Sequence, residues 1–436
     1  MLSLSRPPHV IPNPLLPPIH PDRLATVPTP RRFLLPSRSL SAAAALALLA
    51  ACSGCRRNSF PDVPAGYHEF AYVSNGGSNT VSVLDLVYLR QDRTLRVGDD
   101  PTGLAVNPVR NEVYVVNTKS DSVSVIDAET NNVVATIPVH HRPYAISVDG
   151  TGHRAYVANS GSNTVSVIDL DHRREIALAG TGEQPGLARI SPDNRTLVVT
   201  NRGSGSISLY DVAPYEASPS DPTHILHFRA TFDGCPGATD AVILPDSSKA
   251  FVACSGGHQV MAVSLAADPN SWNAKQNPSL LTDHILTLLD VGKTPVNLAM
   301  KPDGGEIFVS NFDSDSISEI DTWNNQVGWT QAIGNKPTHG IVSRDNSSLW
   351  VSNFGADSLS LYSIDDGRVS NSVHTGSEPD ALAFSADEHL LLAADAHSGD
   401  VSVIRTQDKT GPTLFTILPA GSSPNAIVTK AFKLKS

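Results

Sequence analysis

The phrase AYVSN (residues 71–75) recurs along the chain at a nearly fixed interval and indicates the fold. Its next three copies are VYVVN (113–117), AYVAN (155–159) and LVVTN (197–201). The closing asparagines of these four copies lie 42 residues apart. Weaker copies are AFVAC ending at Cys254, IFVSN at Asn311, LWVSN at Asn353 and LLLAAD at Asp395. A period of 40-odd residues built from short strands predicts a β-propeller or a similar array.

One repeat, residues 101–143, contains four short runs that are rich in Val, Ile and Thr: TGLAV, VYVVN, VSVID and VVATIPV. Each run is bounded by Asn, Asp, Ser, Gly or Pro, as β-strands commonly are. Four antiparallel strands joined by hairpins form a propeller blade, and we name them inner, second, third and outer. The chain is therefore predicted to be all-β.

Eight inner strands can be counted, beginning near residues 102, 144, 186, 239, 296, 339, 380 and 425. This predicts eight blades, with seven as the alternative. The repeats start at a second strand (70–75) and end on an inner strand (425–430). The N- and C-terminal strands should therefore pair in one shared blade, which removes sheet edges that would otherwise invite association.

The repeated second strand, the third-strand phrase TVSVIDL (164–170) and the loops before the inner-strand prolines resemble the YVTN-repeat β-propeller family. The resemblance covers about residues 68–432. It implies the propeller fold but no particular activity, because that family includes binding and surface proteins.

The N-terminal region has a different composition. Arg31, Arg32 and Arg38 precede an apolar run (41–51) that ends at Cys52, an order typical of a secretory signal. The ending LAAC resembles a bacterial lipobox, in which the cysteine is lipidated. We therefore expect a signal peptide with a proline-rich leader over 1–51, a lipidated linker over 52–67 and one propeller domain over 68–436. The alternative is an ordinary signal peptide cleaved after Ala51.

The net charge of the chain argues against one class of binding partner. Removing residues 1–51 takes away five arginines and one aspartate, which leaves 27 basic and 42 acidic residues. Such an acidic chain repels phosphate backbones and argues against general nucleic-acid binding. The expected protein is a monomer in the cell envelope, held on a bacterial membrane by its lipid and facing either the periplasm or the cell surface.

Two insertions interrupt the regular spacing, over residues 213–222 and 266–282. Both follow third strands, so both should emerge on the face from which the N-terminal linker enters its blade. One hypothesis places this face next to the membrane. The alternative is neutral loop growth, which surface loops tolerate.

Cysteine replaces the repeated asparagine once, at Cys254, and the loop that this residue should touch contains Cys235. In an exported protein the pair predicts a disulfide. The alternative is two unpaired small residues. Cys55 has no obvious partner.

Metal or cofactor sites receive little support from the sequence. Asp313, Asp315 and Asp357 lie in hairpin turns without the multi-carboxylate loop of a dedicated calcium site. Four histidines could approach the mouth of the central channel, but they come from separate blades without tight metal-ligand spacing; they are His140, His141, His339 and His397. The prediction is therefore no metal and no cofactor.

Polar residues at the starts of the inner strands should surround the mouth of the channel; they are Tyr144, Arg189, Asp240, Asn297, His339, Asp380 and Asn425. Our main interpretation is a non-catalytic scaffold that binds an unknown protein or small molecule at this mouth. One alternative is a hydrolase of the lactonase type, with Asp240 or Asp380 as base and Arg189 as electrophile. Another is an accessory protein of periplasmic redox metabolism.

Overall fold

The computed structural model describes residues 63–215, 225–408 and 411–434. These residues form 32 strands, which make eight four-stranded antiparallel sheets arranged in a ring. The fold is an all-β propeller, and the prediction of eight blades is confirmed, while the alternative of seven is wrong. Cys52, Cys55 and the stretch 216–224, with most of the first insertion, lie outside the described residues.

Of the first four blades, only blade 1 combines strands from both ends of the chain. Blade 1 contains β1 (Tyr67–Asn75), β2 (Thr80–Asp85), β3 (Arg90–Arg96) and β32 (Pro424–Lys433). Blade 2 contains β4 (Pro101–Val106), β5 (Glu112–Asn117), β6 (Ser122–Asp127) and β7 (Asn132–Pro138). Blade 3 contains β8 (Pro143–Val148), β9 (Arg154–Asn159), β10 (Thr164–Asp169) and β11 (Arg174–Gly180). Blade 4 contains β12 (Pro185–Ile190), β13 (Thr196–Asn201), β14 (Ser206–Val212) and β15 (Leu226–Asp233).

The other four blades follow in chain order. Blade 5 contains β16 (Ala238–Ile243), β17 (Lys249–Cys254), β18 (Gln259–Ser264) and β19 (His284–Asp290). Blade 6 contains β20 (Pro295–Met300), β21 (Glu306–Asn311), β22 (Ser316–Asp321) and β23 (Gln326–Ala332). Blade 7 contains β24 (Pro337–Val342), β25 (Ser348–Asn353), β26 (Ser358–Ser363) and β27 (Arg368–His374). Blade 8 contains β28 (Pro379–Phe384), β29 (Leu390–Asp395), β30 (Asp400–Arg405) and β31 (Thr413–Pro419).

The ring closes through blade 1, where β32 from the C-terminal end is the inner strand and pairs antiparallel with β1. The pairing runs from Tyr67 opposite Lys433 to Asn75 opposite Pro424. β32 has ten residues, whereas every other inner strand has six. The predicted closure by the two terminal strands is confirmed, and it leaves no open blade edge toward the channel.

The core lies between neighbouring blades. Second strands are apolar on both faces because each face packs against another blade, and all six residues of β9 are buried. Between blades 2 and 3, for example, Tyr114 and Val116 pack in one cluster with Ile146 and Val157. Outer strands alternate between exposed and less exposed residues, as β23 does. The near-continuous apolar runs of the repeat are thus explained by sheets that are covered on two sides.

Two faces of the ring can now be named. Inner strands begin at the mouth face, which carries the loops before the inner-strand prolines, and end at the rear face. The tips of the second-to-third hairpins also reach the mouth face, and there Asp121, Asp315 and Asp357 adopt left-handed φ angles. Asp315 accepts the Lys336 N–H at 2.9 Å and Asp357 accepts the Glu378 N–H at 2.9 Å. These aspartates therefore cap loops of the next blade, which is ordinary hairpin chemistry.

The rear face carries the second insertion, with the short helix α1 (Trp272–Gln276). The Ser271 hydroxyl caps this helix by accepting the Ala274 N–H at 3.2 Å. Arg229 of β15 forms ion pairs with Asp211 and Asp283, so it fastens the base of the insertion to blade 4. In the part of the chain that the structure describes, no helix has the length and apolar character needed to cross a membrane.

Candidate functional site

The repeated asparagine of the second strand is buried in six blades, and in blades 1 and 2 its carbonyl oxygen also accepts a hydrogen bond from a loop glycine. In blade 2 the Asn117 side-chain N–H₂ donates to Ser122 at 3.1 Å and to Ser124 at 3.0 Å. Its carbonyl oxygen accepts the Gly98 N–H at 3.1 Å. A Cβ on Gly98 would lie 2.7 Å from the Asn117 side chain, so this approach requires glycine. We name this arrangement the asparagine clasp.

The amide donates to two hydroxyls in five further blades; the asparagines are Asn75, Asn159, Asn201, Asn311 and Asn353. Each is buried. Because the same contacts recur around the ring, these residues build blades and cannot by themselves form a specific site.

Blade 5 replaces the clasp with a covalent bond. Cys254 stands where the asparagine would be, Cys235 stands at the position of Gly98, and the two form a disulfide with Cα atoms 4.7 Å apart. Met261 occupies the position of Ser124 and packs in the same buried cluster as both cysteines. The hydroxyl partners, the glycine and the asparagine have therefore changed together in this blade.

Blade 8 has an acid in place of the asparagine. Asp395 accepts the Ser402 hydroxyl at 2.7 Å and the Ser402 N–H at 3.0 Å. Asp400 occupies the position of Ser122 and lies beside it. Burial, assisted by the neighbouring Asp400 carboxylate, raises the pKa of Asp395 to about 8. Burial thus favours the protonated carboxyl, which stands in for a neutral amide.

The channel wall is where the copies differ. Asp240, Asn297 and His339 occupy the same register position on the inner strands of blades 5, 6 and 7. Asp240 accepts the Asn297 side-chain amide at 3.0 Å and the Leu298 N–H at 2.9 Å. Asn297 in turn accepts the Gly340 N–H at 2.9 Å. A chain of hydrogen bonds thus joins three consecutive blades.

Charged groups adjoin this chain on both sides. The Arg189 guanidinium of blade 4 lies 3.7 Å from an Asp240 carboxylate oxygen, and its Nε is buried without a hydrogen-bond partner. Burial lowers the pKa of His339, against the opposing fields of Asp380 and Asp240. Burial likewise raises the pKa of Asp380, opposed by the attraction of His339. The channel therefore favours a neutral imidazole at neutral pH, next to a cation and carboxyl groups.

Two of the predicted mouth residues stand apart from this cluster. Asn425 donates to the Pro101 carbonyl at 2.9 Å and accepts the Ser74 hydroxyl at 2.6 Å, so it joins blade 1 to blade 2. The Tyr144 ring lines a groove on the mouth face, where the Arg202 guanidinium lies 5.6 Å from its centroid. The structure brings together Arg189, Asp240, Asn297, His339 and Asp380.

The sequence interpretation missed the residues of that groove, namely Arg142, Gly186 and Arg202. Gly186 alone could have been noticed, because the other inner strands carry a side chain at this position. Arg142 and Arg202 lie in loops that vary from copy to copy, so the repeat gives no signal for them.

Two of the other candidate histidines, His140 and His141, contact carboxylates. His141 lies 2.8 Å from Asp121, and His140 lies 3.6 Å from Glu175. Over residues 63–215, 225–408 and 411–434, no three His, Cys, Asp or Glu side chains are grouped so that they could hold a metal ion.

Comparison with known proteins points toward lactonase-type propellers. The family model described as "Lactonase, 7-bladed beta-propeller" matches residues 320–420, a minority of the chain that includes His339 and Asp380. No curated protein sequence matches the chain significantly. The match covers too little of the chain to assign membership of that family.

Solved structures show the fold. A dihydro-heme d1 dehydrogenase is 14% identical with a TM-score of 0.65, covering 85% of this chain and 76% of its own. A putative 6-phosphogluconolactonase from Bacteroides fragilis is 15% identical with a TM-score of 0.56, covering 85% and 100%. One from Bacteroides uniformis is 15% identical with a TM-score of 0.53, covering 83% and 99%. At these identities the likeness extends to the propeller fold alone.

Proposed function

We propose that the protein is a hydrolase of cyclic esters and that the channel cluster of Arg189, Asp240, His339 and Asp380 is its active site. The observation that carries this proposal is the concentration of these groups on the part of the channel wall where the copies differ. The family-model match over residues 320–420 supports it, since His339 and Asp380 lie within that segment.

The chemistry requires a base and an oxyanion partner. The neutral His339 imidazole takes a proton from water, and the resulting hydroxide attacks the ester carbonyl carbon. The Arg189 guanidinium, whose side chain is 43% exposed, stabilises the negative oxygen of the tetrahedral intermediate. The ring C–O bond then breaks, and the imidazolium returns its proton to the leaving oxygen. The product is a hydroxy acid, and Asp380 stabilises the charged imidazole during the cycle.

Turnover of a panel of γ- and δ-lactones, followed by acid release, tests this proposal. We expect His339→Asn to lower kcat/KM by about 10²–10⁴-fold and Arg189→Met to lower it by about 10²-fold. His389→Asn, on the rear face beside Asp387, is the matched control. Because the pKa of His339 is lowered from 6.5, the acid limb of the pH profile should lie below pH 6.5. Absence of turnover over the whole panel, or full activity of His339→Asn, would contradict the proposal.

A non-catalytic binding scaffold is the second candidate, and one observation favours it. The hydrogen bonds of the Asp240 and Asn297 side chains join blades 5, 6 and 7, so part of the cluster has a structural role. In that case the mouth binds a protein or small molecule without turnover. A ligand captured from membranes by the wild-type chain and lost with Arg189→Met, without lactone hydrolysis, would support this candidate. The redox alternative stays a prediction.

Export and lipid anchoring through Cys52 also remain proposals, as does a monomeric state. The disulfide between Cys235 and Cys254 supports export, because disulfides persist in oxidising compartments. Three exposed aromatic residues lie on the rear face and fit a membrane-facing orientation, namely Trp323 (90% exposed), Trp272 (74%) and Tyr88 (72%). Intact-mass measurement of the cellular protein and of Cys52→Ser would reveal a missing lipid.

A further inference from the structure

A groove on the mouth face lies between blades 3, 4 and 5, beside the channel and outside the cluster described above. Its volume is about 710 Å³. Arg142, Tyr144, Gly186 and Arg202 line it together with loop residues of blade 5. The size suits a small organic ligand.

Two cations in this groove lack anionic partners. Arg142 and Arg202 are both exposed, and neither guanidinium belongs to a salt bridge among the described residues. Glu183, which also lines the groove, pairs with neither of them. In contrast, Arg110, Arg173 and Arg229 elsewhere in the chain each contact a carboxylate. In a chain of net charge −11, two neighbouring unpaired guanidiniums in one groove favour an anionic ligand.

Gly186 makes room for one of these arginines. A Cβ at Gly186 would lie 2.6 Å from Cδ and 3.0 Å from Cγ of Arg202, so the arginine side chain runs directly over the glycine. The equivalent position carries a side chain in the other seven blades, namely Thr102, Tyr144, Thr239, Val296, Thr338, Asp380 and Asn425. The missing side chain therefore creates a notch in one blade and fixes the path of Arg202.

Tyr144 supplies an aromatic wall beside the cations. Its side chain is 43% exposed, and the Arg202 guanidinium lies 5.6 Å from the ring centroid. This contact holds the guanidinium in place, while the exposed part of the ring can pack against a ring-shaped ligand. The groove thus combines an oxyanion receptor with a flat apolar surface.

We propose that this groove is a binding subsite for a small ring compound that carries a carboxylate or phosphate group. Arg142 and Arg202 hold the oxyanion, and Tyr144 packs against the ring. Gly186 and Arg189, a member of the channel cluster, lie on the same strand, β12. The proposal rests on the proposed function only where it takes the ligand to be a substrate. Binding of the ligand in the groove does not require turnover.

Calorimetric titration with benzoate and with inorganic phosphate tests the subsite, and benzyl alcohol serves as the uncharged analogue of benzoate. We expect both anions to bind and benzyl alcohol not to bind. Arg142→Met and Arg202→Met should each weaken both anions about tenfold, as the loss of one charge-assisted contact does. Arg90→Met is the matched control, since Arg90 lies 5.2 Å from the Tyr88 ring on the rear face but has Asp85 as an anionic neighbour.

Two further variants separate the ring contact from the charge. Tyr144→Leu should weaken benzoate more than phosphate, because benzoate loses the ring contact as well as the contact that positions Arg202. Gly186→Ala should weaken both anions because it displaces Arg202, and it should fold, since the equivalent backbone carries side chains in seven blades. The proposal is overturned if neither anion binds at concentrations up to about 20 mM, or if the Arg142→Met/Arg202→Met double variant binds benzoate as tightly as the wild type. Neither result depends on lactone hydrolysis, so failure of the subsite and failure of the hydrolase are distinguishable.

Discussion

The second strands repeat one residue in most blades, whereas the inner strands of the same blades vary from copy to copy. Six of the eight second strands end in the same buried asparagine with the same two hydroxyl partners. The register position two residues into each inner strand varies instead; the residues are Gly103, Ala145, Leu187, Asp240, Asn297, His339, Ala381 and Ala426. Polar side chains occupy it in three consecutive blades. The repeated contact maintains the ring, while the varied wall gives one side of the channel its chemistry.

Blade 5 allows the strongest test of this contrast. The double variant Cys235→Gly/Cys254→Asn restores the glycine and the asparagine of the clasp but leaves Met261 where a serine should accept the amide. We expect a loss of about 4–6 kcal/mol in unfolding free energy, from the disulfide and from an unpartnered buried amide. Denaturant titration measures it. Wild-type protein under reducing conditions is the control, and it should lose only the disulfide part.

Completing the clasp should reverse much of that loss. Adding Gln259→Thr and Met261→Ser to the double variant supplies both hydroxyls, as in blade 1. If this four-residue variant is no more stable than the double variant, the clasp does not act as a unit, and the comparison between the strands fails.

An intact clasp gives the next largest effect. Asn117→Ala removes the two buried hydrogen bonds to Ser122 and Ser124 and leaves the half-buried Gly98 N–H without its acceptor, so unfolding free energy should fall by about 2–3 kcal/mol. His339→Asn in the channel should change it by less than about 1 kcal/mol, because the ties of His339 to Ser352 use its backbone. Equal losses for the two variants would remove the distinction between a structural and a functional set of residues. Asn132→Ala, an exposed asparagine of blade 2, is the surface control.

The acid in blade 8 gives a change in stability that depends on pH. The pKa of Asp395 is raised from 3.8 to about 8 in the folded protein. Its stabilising contribution is therefore complete below about pH 4 and is lost as pH rises through about 8, because the folded state holds the proton more tightly. Asp395→Asn should remove this dependence, so its stability advantage over wild type should grow by at most about 1.4 kcal/mol per pH unit in that window. Thermal unfolding from pH 5 to pH 9 measures it, and parallel curves for the two proteins would contradict the raised pKa.

Only part of the site could be predicted from the sequence, because only some of its residues are placed by the repeat. His339 and Asp380 were named as mouth residues because the repeat places them at the start of inner strands. Their electrostatic coupling was not foreseeable, since it depends on the width of the channel and on burial. Arg202 was missed because its place in the groove depends on the absence of a side chain at Gly186, across a hydrogen-bonded neighbouring strand. The sequence of a single repeat does not indicate that contact.

The sequence by itself determined the blade, the number of blades, the closing pair of terminal strands and the positions of the two cysteines that form the disulfide. These features follow from the local periodicity of the sequence and from the number of its repeats, and both can be read from the sequence alone. The tertiary structure decided which of the varied residues meet. Asp240 and Asn297, which are 57 positions apart, become hydrogen-bonded neighbours only when the ring closes. The low pKa of His339 and the unpaired arginines of the groove arise in the same way, because burial and distance are properties of the closed ring.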